Sequence, residues 1–284
     1  MAEELEIKLT LDSRQIDAAV DWLLSRDGVS DQGSKTLVNR YYDTANGELN
    51  RRTIALRVRQ KGDRFIQTLK TQGEFVDGAH RRQEWEWELP GPDLKLGLLA
   101  DTPVGEGLNL AELAPVFETN FERRVLMIEA GDSAIEVAVD RGQVIAGDIW
   151  APLDEVEFEL KAGEPAALMD WASQMAAQVP VFLNLVSKAE QGYYLAGLYE
   201  PGMPPQDGRW EPLQLLESLS KAWLTGKPLQ VAGSCLEAIR GAASDKGMTD
   251  ACQWLCEELG RGTEVRKLIS RPELGQLQLA LAVS

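Results

Sequence analysis

Glu4, Glu6 and Lys8 alternate with Leu5, Ile7 and Leu9 near the start of the chain, and side chains two apart share one face of an extended strand. A single strand of this kind is ordinary, because a half-buried antiparallel strand keeps a polar face toward water. Here the alternation recurs. Arg57 and Arg59 share a face opposite Leu56 and Val58; Glu84 and Glu86 oppose Trp85 and Trp87; Glu155, Glu157, Glu159 and Lys161 oppose Val156 and Phe158. If helices cover the apolar side, the charged side becomes the concave one, and closing the sheet turns it into a lumen. Arginine and glutamate buried together are costly unless paired or ligated. A phosphate chain with divalent cations would satisfy both sets. The same spacing also fits an open sheet with a wet charged face, and composition does not choose between the two.

The elements that must carry these residues follow from periodicity. Eight period-two segments, 4–9, 37–43, 55–60, 65–70, 82–89, 121–128, 134–140 and 155–161, predict an antiparallel sheet or barrel. A helix is predicted over 13–25, with Ile16, Val20, Leu23 and Leu24 at helical spacing and Asp12 or Ser13 as its cap. Another is predicted over 165–178, with Leu168, Met169, Trp171, Ala172 and Met175 on one side. The Pro- and Gly-rich stretch 201–208 has the composition of a linker. Beyond it Leu213, Leu216, Leu219, Leu236, Ile239, Trp254, Leu255 and Leu259 recur at three and four, with no strand-like run. The expected organisation is α+β: a strand domain over 1–200 with covering helices, and a small all-helical domain over 209–284.

Composition removes several classes of function. The chain has 284 residues, 44% of them hydrophobic and 26% charged, so a real core can form and disorder is not the default. A net charge of −16 repels nucleic acid and anionic membrane, so a polyanionic substrate needs a sheltered basic pocket. No run of 18 apolar residues and no secretory leader pattern is present, which predicts a cytoplasmic protein without a membrane span. The three cysteines, Cys235, Cys252 and Cys256, all fall in the last fifty residues and read as buried small side chains rather than a disulfide framework or metal clip. His80 is the only histidine and lies in a turn-like stretch, so histidine catalysis is not expected.

The ordered series of charged segments resembles the CYTH family, named for class IV adenylate cyclases and thiamine triphosphatases and also called triphosphate tunnel metalloenzymes. Glu4-Leu5-Glu6-Ile7-Lys8 looks like its ExExK signature. Tyr42-Asp43-Thr44, Ala55-Leu56-Arg57-Val58-Arg59, Thr68-Leu69-Lys70, Arg82 with Glu84 and Glu86, Arg123, Asp140, Glu157 with Glu159, and Ser187-Lys188 before Gly192-Tyr193 follow in order. The resemblance covers roughly residues 3–197. It implies an eight-stranded antiparallel β-barrel, a triphosphate tunnel, with metal bound by Glu4, Glu6, Asp140, Glu157 and Glu159 and that acidic side supported by Glu84 and Glu86. Lys8, Arg57, Arg59, Lys70, Arg82, Arg123 and Lys188 would hold the phosphates. Arg124 points opposite to Arg123, so a one-residue slip in register would exchange them. The wording around 119–123, 135–140 and 187–193 is most similar to bacterial inorganic triphosphatases. Those proteins often carry a histidine-rich helical CHAD module, whereas the tail here is short and has no histidine.

What the resemblance implies chemically is hydrolysis of inorganic triphosphate, with Lys8, Arg57 and Lys70 contacting the transferring group. Carboxylate oxygens without histidine or thiolate suit magnesium or manganese. Thiamine triphosphate, nucleoside triphosphates or cyclisation of ATP remain as alternatives on the same fold, as does a non-catalytic polyphosphate-binding module. The helical tail is expected to be dispensable for catalysis, burying its apolar stripes against one another or on the barrel's outer surface, with docking or a homodimer through it.

Overall fold

The computed structural model describes residues 2–71, 74–76, 79–102, 104, 107–204 and 208–283, with backbone only at 2–4, 74, 76 and 80–82. Ten strands form one antiparallel sheet: β1 (Ala2–Thr10), β2 (Val29–Asp43), β3 (Ala55–Lys61), β4 (Arg64–Lys70), β5 (Glu74–Val76), β6 (Ala79–Leu89), β7 (Ala114–Ala130), β8 (Ser133–Ala146), β9 (Ile149–Ala162) and β10 (Phe182–Leu183). Their order is β10-β1-β9-β8-β7-β2-β3-β4-β6-β5, and β1 pairs with β6 as well. Glu6 to Thr10 of β1 run against Glu159 to Glu155 of β9, while Ala2 to Glu6 run against Glu84 to His80 of β6. The pairings therefore pass from β1 through β9, β8, β7, β2, β3, β4 and β6 and return to β1. All eight segments expected from the alternation are strands, and the sheet is larger than expected by the two short strands β5 and β10 at its ends.

The two faces divide as the alternation requires. Ile7, Leu9, Val137, Val139, Val156 and Phe158 point outward into one core with helices α1 (Ile16–Leu24) and α3 (Ala166–Ala176). Four residues of α1, Ile16, Ala19, Val20 and Leu23, are buried there at helical spacing. A second outward cluster joins Leu56, Val58 and Leu69 to Trp85 and Trp87 under the segment containing Leu99 and Val104.

The inward face is not charged along its whole length. Leu37, Tyr41, Phe117, Phe121, Val144, Ala146 and Leu153 lie on it at one end, covered by a helix the periodicity did not predict, α4 (Lys188–Leu195), after the short α2 (Glu48–Arg51) earlier in the chain. Ser187 and Glu190 form a reciprocal cap at its start, each side chain bonding the other's backbone N–H at 3.1 and 2.8 Å. Gly192 is required where α4 meets the sheet, since a Cβ there would stand 2.0 Å from the Phe117 ring. Phe117 in turn stacks on Tyr41 at 4.5 Å and meets Tyr193 edge-on at 5.0 Å.

After residue 208 five helices follow: α5 (Pro212–Thr225), α6 (Glu237–Asp245), α7 (Thr249–Gly260), α8 (Val265–Leu268) and α9 (Pro272–Ala282). They share a core containing Trp210, Leu219, Cys235, Ile239, Cys252 and Leu255, while Leu216, Leu279 and Ala282 enter the core beneath the sheet. Polar contacts tie the tail down. Gln278 donates to the carbonyl of Leu183 at 2.9 Å and accepts from its N–H at 3.0 Å, and Ser220 Oγ accepts from Leu185 N–H at 3.0 Å. A Cβ at Gly275 would lie 2.3 Å from the Val181 carbonyl, so the helix approaches that backbone as only glycine allows. Among the described residues no helix is long and apolar enough to cross a membrane.

Candidate functional site

The charged part of the inward face encloses a cavity of about 690 Å³. Eleven of the residues singled out in the sequence line it: Glu6, Lys8, Arg57, Arg59, Lys70, Glu84, Glu86, Arg123, Glu157, Glu159 and Lys188. The side chains of Glu4, Arg82 and His80 lie outside the described residues; their backbones place all three on β1 or β6. Asp140 is set apart, fully buried and not on the cavity wall.

Register explains the grouping. Glu6, Glu159 and Glu136 are direct partners across β1, β9 and β8, so three carboxylates stand side by side on one rung. Adjacent like charges in direct register destabilise a sheet unless cations intervene, and Lys161 Nζ stands 2.7 Å from Glu159 at one end of the rung. Glu136 was not singled out in the sequence, although it shares a face with Asp140 four residues on. Among the described residues no three acidic, histidine or cysteine side chains already stand close enough to hold a metal ion. The donor set nevertheless consists of carboxylate oxygens, which suits a hard divalent cation.

The next rungs form a closed ion network. Arg123 donates to both oxygens of Asp140 at 2.7 Å and to Glu157 at 2.7 Å. Lys188, at the first turn of α4, reaches Glu155 at 2.6 Å, Glu157 at 2.7 Å and Asp140 at 3.0 Å. Burial opposes the Lys188 charge, yet these three carboxylates hold its ammonium well above the usual lysine range. Burial likewise opposes the charge of Glu157, and Lys188 and Arg123 overcome it, holding the carboxyl well below its ordinary range. Arg124 points outward to Asp31 at 2.5 Å, so the register places Arg123, not Arg124, on the cavity side. Lys8 donates to the carbonyl of Val186; burial lowers its pKa, against the pull of Glu155.

On the opposite wall positive charge is in excess. Arg57 comes no closer than 3.9 Å to Glu84, and among the described residues its buried Nε has no hydrogen-bond partner. Arg59 donates to Asn39 Oδ1 at 2.7 Å; burial, Arg57 and Arg123 push its pKa down to about 9. A guanidinium does not give up its proton at neutral pH, so the crowding stands as concentrated positive charge that an anion would relieve. Tyr41 presents its phenol to Arg57: burial alone would raise its pKa, and the neighbouring Arg57 lowers it overall. Lys70 pairs with Glu84 at 3.3 Å.

Lys161, from the alternating face of β9, lines the cavity too, as do residues that the alternation alone did not bring forward: Lys35, Tyr41 and Glu136 on the sheet, and Glu217, Ser220 and Lys221 on α5. The tail expected to stand apart from the chemistry therefore supplies part of the wall. Lys35 precedes the expected start of its strand, and β2 reaches back to Val29, which places Lys35 on the same face as Asn39 and Tyr41.

An antiparallel sheet that wraps one face of paired arginines, lysines and carboxylates around a cavity has the chemistry to suit a polyanion and a hard cation. The chain belongs to the CYTH domain family, whose model matches residues 2–193. A curated relative, the inorganic triphosphatase of Haemophilus influenzae, is 34% identical over 200 residues, covering 69% of this chain and 55% of the relative. The chain thus spans about half the length of that relative. Among solved structures, a proposed adenylyl cyclase of Hippeastrum described as having a dominant triphosphatase activity aligns at 18% identity with a TM-score of 0.49, covering 67% of this chain and 95% of the other. A crystal structure of an inorganic triphosphatase aligns at 24% identity with a TM-score of 0.24, covering 59% and 79%.

Proposed function

We propose that this chain hydrolyses inorganic triphosphate to diphosphate and phosphate in a metal-dependent reaction. The observation that carries this reading is the cationic wall: in a chain of net charge −16, among the described residues Arg57 keeps a buried Nε without a partner and Arg59 makes no ion pair, donating to an amide oxygen. Buried donors of this kind require an acceptor, and phosphate oxygens match the guanidinium fork. The kinship with the Haemophilus inorganic triphosphatase supports the choice of substrate.

In this reading the pairing cycle through β1 and β6 closes an eight-stranded tunnel, with α4 filling one end and the helical tail, 209–284, docked as a second unit. Lys8, Arg57, Arg59, Lys70, Arg82, Arg123 and Lys188 hold the phosphate chain. Glu4, Glu6, Glu157 and Glu159, with Glu136 on their rung and Glu84 and Glu86 supporting across the cavity, hold the cation. A bound magnesium or manganese ion would supply positive charge to the phosphate oxygens. Lys8, Arg57 and Lys70 steady the charge that spreads over the terminal phosphoryl group as water attacks in line. Asp140 acts one layer back, orienting Arg123. Aromatic side chains do line the cavity, Tyr41 and Tyr193 packing with Phe117, and the preference for free triphosphate over ATP or thiamine triphosphate rests on the curated relative.

A phosphate-release panel with tripolyphosphate, ATP and thiamine triphosphate, with and without magnesium or manganese, tests this. The expected result is the highest kcat/KM for tripolyphosphate and none in excess chelator. A higher kcat/KM for ATP or thiamine triphosphate would move the chain to another activity of the fold, and tight binding without turnover would make it a polyphosphate-binding module.

A further inference from the structure

The cationic wall does not end at Arg59. Lys35 lines the same cavity, and Lys61, the exposed last residue of β3, is near enough to Lys35 to act on its charge. In the sheet Lys35 is the partner of Arg123, Leu37 of Lys61 and Asn39 of Arg59, so these basic side chains stand on one face of adjacent strands. Arg123 is matched by Asp140 and Glu157. The other three are not. Among the described residues Lys35, Arg59 and Lys61 make no ion pair, although the chain has 45 acidic residues against 29 basic ones. Burial, Lys61 and Arg123 outweigh the pull of Glu136 on Lys35. Uncompensated cations of one sign in a partly enclosed cleft focus a field that an anion occupies.

Resting on the triphosphatase reading, we infer that Lys35 and Lys61 form a further phosphoryl subsite beyond Arg59, so that the tunnel grips linear polyphosphates longer than triphosphate. Arg57 and Arg59 contact the three phosphoryl groups of the minimal substrate. A fourth group extending past Arg59 meets Lys35 and then Lys61 at the rim. Lysine suits this place, since a flexible point charge accepts the varied geometry of a chain end, whereas the arginine forks behind it fix orientation.

Binding of tripolyphosphate and linear tetraphosphate, measured by titration calorimetry on the full chain in excess chelator, tests the subsite without relying on turnover. The wild type is expected to bind tetraphosphate about ten-fold more tightly than tripolyphosphate, the effect of one added charge-assisted contact. Lys35→Gln with Lys61→Gln is expected to bring the ratio to about one, and Lys35→Arg to restore the preference. Equal affinities in the wild type, or an unchanged ratio in the double variant, overturn the subsite while leaving the triphosphate site standing. Failure of the wild type to bind tripolyphosphate at all overturns the underlying reading, and the subsite with it. Circular dichroism of the variants confirms that a lost preference comes from a folded protein.

Discussion

Asp140 separates two roles that the sequence could not tell apart. As a metal ligand, its replacement would matter only when the cation is bound. As the anchor of Arg123, it matters in the metal-free protein. Its carboxylate is completely buried, takes two 2.7 Å bonds from Arg123 and lies 3.0 Å from Lys188. Removing one member of such a buried pair leaves the other charged and unsatisfied, at a cost of about 3–5 kcal/mol. The substitution Asp140→Asn keeps the shape and one acceptor, so the lower figure, about 3 kcal/mol, applies. For a chain of this size each kcal/mol moves Tm by about 2–4 °C, which predicts a fall of about 10 °C. The assay is thermal unfolding in excess chelator, so that no metal contributes, with Arg123→Gln and the double variant completing a cycle. The two substitutions are expected to be strongly non-additive, because the second removes a charge the first has already stranded. An unchanged Tm in chelator, together with loss of the stabilisation that manganese gives the wild type, would show that Asp140 is a metal ligand and refute the anchoring argument.

Three further outcomes follow from the same geometry. Glu6→Gln and Glu159→Gln remove charge from the carboxylate rung and are expected to lower manganese affinity, read by calorimetry, by about ten-fold or more; unaltered affinity would place the cation elsewhere. The Glu157 carboxyl is held well below its ordinary value by Lys188 and Arg123 against burial. Its contribution to stability is therefore complete above the unfolded value near 4.5 and is lost as pH falls through the lower folded value. Urea midpoints measured downward from about pH 6 should fall more steeply below that point in the wild type than in Glu157→Gln, and parallel curves would count against the network. A chain ending at residue 200 should lose stability, because it uncovers Leu183 and the outer core that Leu216, Leu279 and Ala282 fill. It should also bind tripolyphosphate differently, since Glu217, Ser220 and Lys221 line the cavity; full activity at an unaltered melting temperature would restore the tail to the spectator role expected from its sequence.

Much of this protein is written in local alternation. Each strand that carries Glu6 and Lys8, Arg57 and Arg59, Glu84 and Glu86, or Glu157 and Glu159 was legible because side-chain direction has a period of two residues and needs no knowledge of neighbours. The helices α1 and α3 were legible for the corresponding reason at a period near four. Helix α4 was not: it buries Lys188, Gln191, Gly192 and Tyr193, a mixed set with no apolar stripe, because it sits inside the concave face and meets both charged and aromatic walls. Which charges touch was likewise outside the reach of the sequence. Asp140 and Glu159 look equivalent along the chain, yet cross-strand register sets one beneath Arg123 and the other between Glu6 and Glu136. Lys35 and Glu136 gained meaning only through their neighbours on other strands, and Lys221 only through the docking of α5 by Ser220 on the segment before α4. Alternation decides which way a side chain points; register and packing, which depend on residues far apart in the chain, decide what it meets there.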